Sequence, residues 1–512
     1  MRKISGIALM ALACFSLSFT GDNKVKVDIA TIIRIKNEGL NHSKVMETLF
    51  ELTDVNGPRL TGSTGMRNAE RWAKAKLQGW GLENANIEQW GSFGKGWEVN
   101  KCYVAMTAPY YQQLIAVPRA WTPGTPGIAK ANVVVVRIDS VEDMAKYAGK
   151  LRDHIVLLAP AKLETSPNFK PDASRVHDTM LQKMEVEEMP KPVAADKPVP
   201  PAKPRVNLRR AIDSFLVSEG ALAVISGGRG TMGTVFTSNG ASRAWDAKPV
   251  LPEVEMNLEH MARIVRLVKA GHDVQIEMDT KTTFLIADSI ENNVVAEIPG
   301  TDLKDEYVML GGHMDCWHAA TGATDNGAGV AVCMEAVRIL QTIGIKPRRT
   351  IRILLWSGEE QGLLGSRGYV KNHFGNRLTM DIKPEQGRVS AYYNLDNGGG
   401  KIRGIYLQNN EALRPLFTAW LKPFADMGAS TVTIKNTGST DHISFDEIGI
   451  PGFQFIQDGL DYGTRTHHTN MDSYDRISEE DLKQASIIMA AIVYNTAMMD
   501  EKLVRKPLPT HP

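Results

Sequence analysis

The sequence predicts an α/β fold: a mixed, mostly parallel sheet with helices on both faces, plus an inserted, smaller β-rich accessory unit. Three observations carry this. From about residue 286 to 505, short apolar runs alternate with long helical patterns, the signature of strands and helices taking turns. Four of those runs are followed at once by side chains able to bind metal. Residues 109–285 instead hold brief β-branched runs between turn residues, and one proline-dense stretch. A chain of 512 residues is too long for a single core. Its net charge of +1, with 43% hydrophobic and 23% charged residues, describes a soluble globular protein and gives no electrostatic footprint for nucleic acid or an anionic membrane.

In chain order, "MRKISGIALMALACFSLSFTGD" has a basic start, an apolar stretch and then small residues. Residues 1–21 therefore predict a secretory signal peptide, and an exported, periplasmic or secreted, protein. Cys14 would permit a lipid anchor, but the "ALA" before it is a poor lipidation signal. No later segment is long and apolar enough to predict a membrane span. Cys102, Cys316 and Cys333, an odd number, imply no disulfide framework.

Residues 28–108 form the first zone, the N-terminal part of the main unit. Val45, Met46, Leu49, Phe50 and Leu52 share a helical face, with Ser43 as N-cap. Met66, Ala69, Trp72, Ala73, Leu77 and Trp80 share another, closed by Gly79 and Gly81. The second zone, 109–285, has strand-like runs at 132–138, 154–159 and 220–227. Between the last two, "EVEEMPKPVAADKPVPPAKPR" (185–205) carries six prolines, which forbid helix and central strand. It reads as an exposed excursion. The third zone, 286–505, has strands expected at 307–312, 350–357, 389–395 and 452–457. Strong amphipathic helices are expected at 327–344 and 478–499, the latter with Ser478 and Asp481 in a capping box.

His313 follows the first of those strands. Glu359 and Glu360 follow the second, Asp396 the third, and His467 and His468 the fourth, past a short loop. Carboxyl ends of strands in an open α/β sheet line one crevice, where ligands bind. Imidazoles and carboxylates gathered there suit zinc. Five ligands and a spare carboxylate exceed one tetrahedral ion and fit two, roughly 3.5–4 Å apart and sharing one Asp. Asp315, two residues past His313, could take the ring's other N–H and fix its orientation. Glycines around these residues allow close approach of the backbone.

The set "GGHMD…GATDNGAG…WSGEEQGLLGS…NLD…HHTNMD" resembles the M28 family of co-catalytic dizinc peptidases, which includes bacterial aminopeptidases and the plasma glutamate carboxypeptidase group. "RLTGSTGMRNAERWAKAKL" resembles the segment ahead of that family's motifs, and the second zone resembles a protease-associated insert, its proline-rich excursion apart. The resemblance implies two zinc ions per chain, held by His313, Asp325, Glu360, Asp396 and His468. Asp325 would bridge them, His313 and Asp396 would sit on different ions, and Glu360 and the "THHT" histidine would likewise be separated. Glu359 would be the general base. His468 is preferred over His467 because the family places Ser or Thr after the ligand. A cis bond at Asp325–Asn326 would accompany the site, and Tyr462 could add a donor.

The expected activity is hydrolysis of peptide substrates by an exopeptidase, with an aminopeptidase ahead of a carboxypeptidase or dipeptidase. Glutaminyl cyclase, using one zinc, and a non-catalytic binding module on the same fold are the other readings. Cys316, His318, Asp441 and His442 are expected to pack or to neighbour substrate rather than to ligate.

Overall fold

The computed structural model describes residues 25–508 apart from 26, 164–166, 168, 190–206 and 288. The expected signal peptide with Cys14, and all of the proline-rich excursion past residue 189, lie outside the described residues.

Two eight-stranded sheets organise the chain. At the centre of the first, Arg349–Trp356, Leu303–His313, Val389–Asn394 and Gly452–Gln457 lie side by side and parallel. Their carboxyl ends therefore share one edge. Ile290–Ile298 flanks them antiparallel on one side, with Glu83–Ser92 paired antiparallel outside it, and Ile402–Tyr406 flanks them antiparallel on the other. Buried on both faces, the central strands are near-continuous apolar runs, as parallel strands must be.

One face packs against Ile29–Asn41, Thr64–Gly79, Ala328–Thr342 and Glu479–Met498, the other against Leu364–His373 and His442–Asp446. The two long helices expected to be amphipathic are instead buried almost all round: residues 328–340 and, Lys483 apart, 481–497 are buried. A helix apolar on every side is one enclosed by its neighbours. Ser478 caps the second by accepting from the Asp481 amide. Near the N-terminus the helix starts at Val45 with Lys44, not Ser43, in the cap position, and Ser43 Oγ accepts from the Val45 amide instead.

The second sheet contains a parallel run, Ala129–Val136, Ile155–Leu158, Ala223–Gly227 and Glu253–Met256. It also takes in Gly96–Ala108, paired antiparallel with Gln275–Leu285. The boundary expected at residue 108/109 thus falls one strand late. Val104 and Met106 of that strand are buried in the accessory sheet's core with Ile276 and Met278, and this is what draws it onto the accessory sheet.

Candidate metal centre

The topology alone brings the sequence-predicted residues together. His313 is the last residue of its strand. Glu359, Glu360 and Asp396 lie just past the strands on either side, and Asp325 sits on the loop that starts helix Ala328–Thr342. The loop after Gly452–Gln457 brings His467 and His468 over the same edge.

His313 Nε2 lies 3.4 Å from Asp396 Oδ1, 3.5 Å from Asp325 Oδ1 and 3.8 Å from Glu359 Oε2. His468 Nε2 lies 2.9 Å from Glu360 Oε2 and 3.2 Å from Asp325 Oδ2. Two clusters therefore meet at Asp325, which turns one oxygen to each. This corrects the expected division: His313 and Asp396 belong to one cluster, Glu360 and His468 to the other. The reason is pairing, because the strands carrying His313 and Asp396 are direct neighbours in the sheet. His467 stands farther off, 3.9 Å from Asp325 Oδ2, with its side chain 46% exposed. Its ring lies tilted against those of Tyr462 and His468, with centroids 4.7 and 3.9 Å away.

Burial makes this grouping costly without a cation. Burial pushes the Glu359 and Glu360 carboxyls well up, and neighbouring carboxylates push them further, against the opposing pull of His313. For Asp325 burial also acts upward, but the bond to His313 and the charges of His468 and His313 outweigh it and hold the group at about 2. Asp325 Oδ2 and Glu360 Oε1 are buried with no hydrogen-bond partner. Buried polar atoms are rarely left so. Orphaned carboxylate oxygens converging with imidazole nitrogens fit divalent metal, and the N/O donor set suits zinc.

A supporting shell holds these groups. His313 Nδ1 lies 2.9 Å from the Asp315 carbonyl oxygen, while that residue's carboxylate is 3.6 Å away. The carbonyl, rather than the expected carboxylate, is thus the nearer acceptor, and it leaves Nε2 facing the cluster. The Asp315 carboxylate is committed elsewhere: it accepts from Thr61 and from the Glu359 and Glu360 amides. Asp472 accepts from the Thr324 and Asp325 amides at 2.6 and 3.1 Å. Sequence reasoning gave Asp472 no role although "HHTNMD" contains it; a buried acid closing a ligand motif was the available signal. The Asp325–Asn326 peptide is cis, and Asn326 donates to Leu395 O. Asp441 is fully buried with both oxygens unpartnered, and burial pushes it up to about 7. No hydrogen bond fixes the Tyr462 hydroxyl among the described residues.

Comparison with known proteins agrees with this geometry. Residues 293–493 match the model of Peptidase family M28. Carboxypeptidase Q of Mus musculus is 26% identical over 484 residues, covering 93% of this chain and 91% of that protein. Aminopeptidase YwaD of Bacillus subtilis is 29% identical over 222 residues, 41% of this chain and 46% of that protein. A solved structure of a Peptidase M28 precursor from Shewanella amazonensis superposes with a TM-score of 0.68 at 25% identity, covering 94% of this chain and 98% of that one. Residues 293–493 therefore form a Peptidase family M28 region, and along nearly its whole length the chain is similar to Carboxypeptidase Q and to a Peptidase M28 precursor.

Proposed function

We propose that this protein is an exported dizinc exopeptidase acting on short peptides. The observation that carries the reading is Asp325, whose two carboxylate oxygens face two separate His–carboxylate clusters. His313, Asp325 and Asp396 would hold one ion, and Asp325, Glu360 and His468 the other. Zinc bound there supplies Lewis acidity and brings the pKa of water down toward about 7.

The chain's own groups do the rest. Glu359 stands 3.8 Å from His313 at the edge of the first cluster and ligates neither ion in this reading, so its carboxylate is free to accept the water's proton and pass it to the leaving amine. The Asp315 carbonyl fixes the His313 ring, and the Asp315 carboxylate, by holding the Glu359 and Glu360 amides, sets where both side chains start. Asp472 does the same for Asp325 through the loop amides. Tyr462, beside the second cluster, is the candidate for a further donor to the substrate.

Which end of the peptide is cut is read from the relatives. The aminopeptidase expected first from sequence matches over less than half of this chain, whereas Carboxypeptidase Q aligns along nearly all of both chains. A carboxypeptidase or dipeptidase therefore comes ahead of an aminopeptidase. Blocked dipeptides decide: a carboxypeptidase should hydrolyse N-acetylated dipeptides and spare C-amidated ones, and a dipeptidase should spare both while cleaving the free dipeptide. Cleavage of the amides alone would reverse the order. Export rests on the basic and apolar start of the sequence; no helix among the described residues is long and apolar enough to cross a membrane.

A further inference from the structure

A second crevice opens at the edge of the accessory sheet. The segments just past the carboxyl ends of three of its parallel strands, among them Asp139, Pro160 and Gly228, and the last residues of the fourth, Glu255 and Met256, line a cleft of about 1840 Å³. No residue of the metal-capable clusters lines it. This is the edge at which open α/β sheets take ligands.

The chemistry of the cleft is that of an oxyanion site. Strand Ala223–Gly227 runs into Gly228-Arg229-Gly230, whose two glycines have φ of +98° and +92°. The amides of these three residues donate to no acceptor among the described residues. Successive free amides in a turning loop make a concavity for an anion. Arg229 has no carboxylate at ion-pair distance among the described residues; its guanidinium lies 4.0 Å from the centre of the Phe236 ring. Arg210, exposed on the rim, likewise has no ion pair there. Two other lining arginines differ: Arg119 and Arg209 are both matched by Glu253 and Asp213. Glu255 turns an Oε2 with no hydrogen-bond partner to this region. Burial, then the Glu253 charge, pushes that carboxyl up to about 8, so near neutral pH it repels no anion.

We propose that this cleft binds a small organic anion, its phosphate or carboxylate held by the Gly228–Gly230 amides with Arg210 and Arg229, and its apolar body against Phe236 and Met256. Arginine is suited to both oxyanions. The site is separate from the metal centre but mechanically joined to it. Phe236 is bridged to Thr469, and the Thr237 amide donates to the His468 carbonyl at 2.8 Å. An anion drawn to Arg229 is therefore felt one hydrogen bond from a metal-binding loop.

The test is calorimetric titration of the zinc-loaded, full-length enzyme with phenyl phosphate and, separately, phenylacetate. The expected result is one ligand bound per chain, with affinity falling by about tenfold or more in Arg210→Ala and in Arg229→Ala, the size expected for losing a charge-assisted bond. Whichever probe binds more tightly identifies the oxyanion. Both arginines are exposed, so melting temperatures should stay at the wild-type value; Arg210→Gln and Arg229→Gln replace any alanine variant that fails to fold. No binding of either probe, or binding unchanged in both variants, would overturn the proposal, the latter placing the anion at the metal centre or nowhere specific.

Discussion

At the scale of the residue, the proposed function gives metal holding to one set of groups and proton movement to another, and substitution should separate them. Glu359→Gln preserves shape and leaves all five proposed ligands in place, but an amide cannot accept a proton. Zinc content should stay at the wild-type level while kcat falls on the order of 10²–10⁴-fold; near-full turnover with metal bound would remove Glu359 from its role. Asp472 is a different case. Its carboxylate accepts from the Thr324 and Asp325 amides and from no ligand side chain. Asp472→Asn should weaken zinc binding by about 10–100-fold, the usual cost of disturbing groups behind a ligand, as read by titration against a competing chelator. Unchanged affinity would show that the Asp325 loop holds itself. These side chains were legible to very different degrees. His313, Glu359, Glu360, Asp396 and the His467–His468 pair stand out because each strand end delivers one or two of them; Asp325, on the loop that starts a helix, and the choice of His468 came only with the family resemblance. The division into clusters did not stand out, since it depends on which strands are neighbours, and chain order does not reveal that. Nor did the choice of carbonyl over carboxylate at Asp315, which depends on what Thr61, more than 250 residues away in sequence, asks of that carboxylate.

At the scale of the element, the four central strands and the two long buried helices were readable from apolar runs and their spacing. Gly452–Gln457 was read to the residue, and the others to within a few. Gly96–Ala108 was not. Its outer residues alternate weakly, and its partner strand Gln275–Leu285 comes about 170 residues later, so local pattern could not assign it to a sheet. The start of helix Ala328–Thr342 shows how tightly one element is fitted. A Cβ on Gly329 would stand 2.1 Å from Leu395 O and 2.3 Å from Asn326 Oδ1. Gly329→Ala should therefore push Asn326 off Leu395 and cost about 1–3 kcal/mol or more, seen as a lower midpoint in denaturant; a neutral result would mean that the loop relaxes freely. A second junction lies between the accessory segment and the main sheet. Arg175 donates to Asp458 and Asp481, of which Asp458 is fully buried. Arg403 also serves Asp458, and the Arg175 side chain is 45% exposed. Arg175→Ala should thus cost only about 1–2 kcal/mol, less than for a fully buried pair. A loss well beyond that in thermal unfolding would make this tether a principal support of the fold.

At the scale of the whole molecule, two sheets divide the labour. The larger gathers metal-capable side chains on one edge. The connection between two strands of the smaller, Ala223–Gly227 and Glu253–Met256, contributes Phe236 and Thr237, which pair with the loop carrying His467 and His468, so the accessory segment helps to set that loop. Composition had suggested the division, and the proline-dense stretch had marked the accessory zone as irregular, but neither could show that it reaches the metal centre. The central claim is that Asp325 serves two ions at once. Elemental analysis of carefully prepared holoenzyme, with active-site occupancy confirmed by turnover, tests it most directly. The account predicts about two zinc per chain, falling together with activity in Asp325→Ala; a reproducible value of one in fully active enzyme would contradict it.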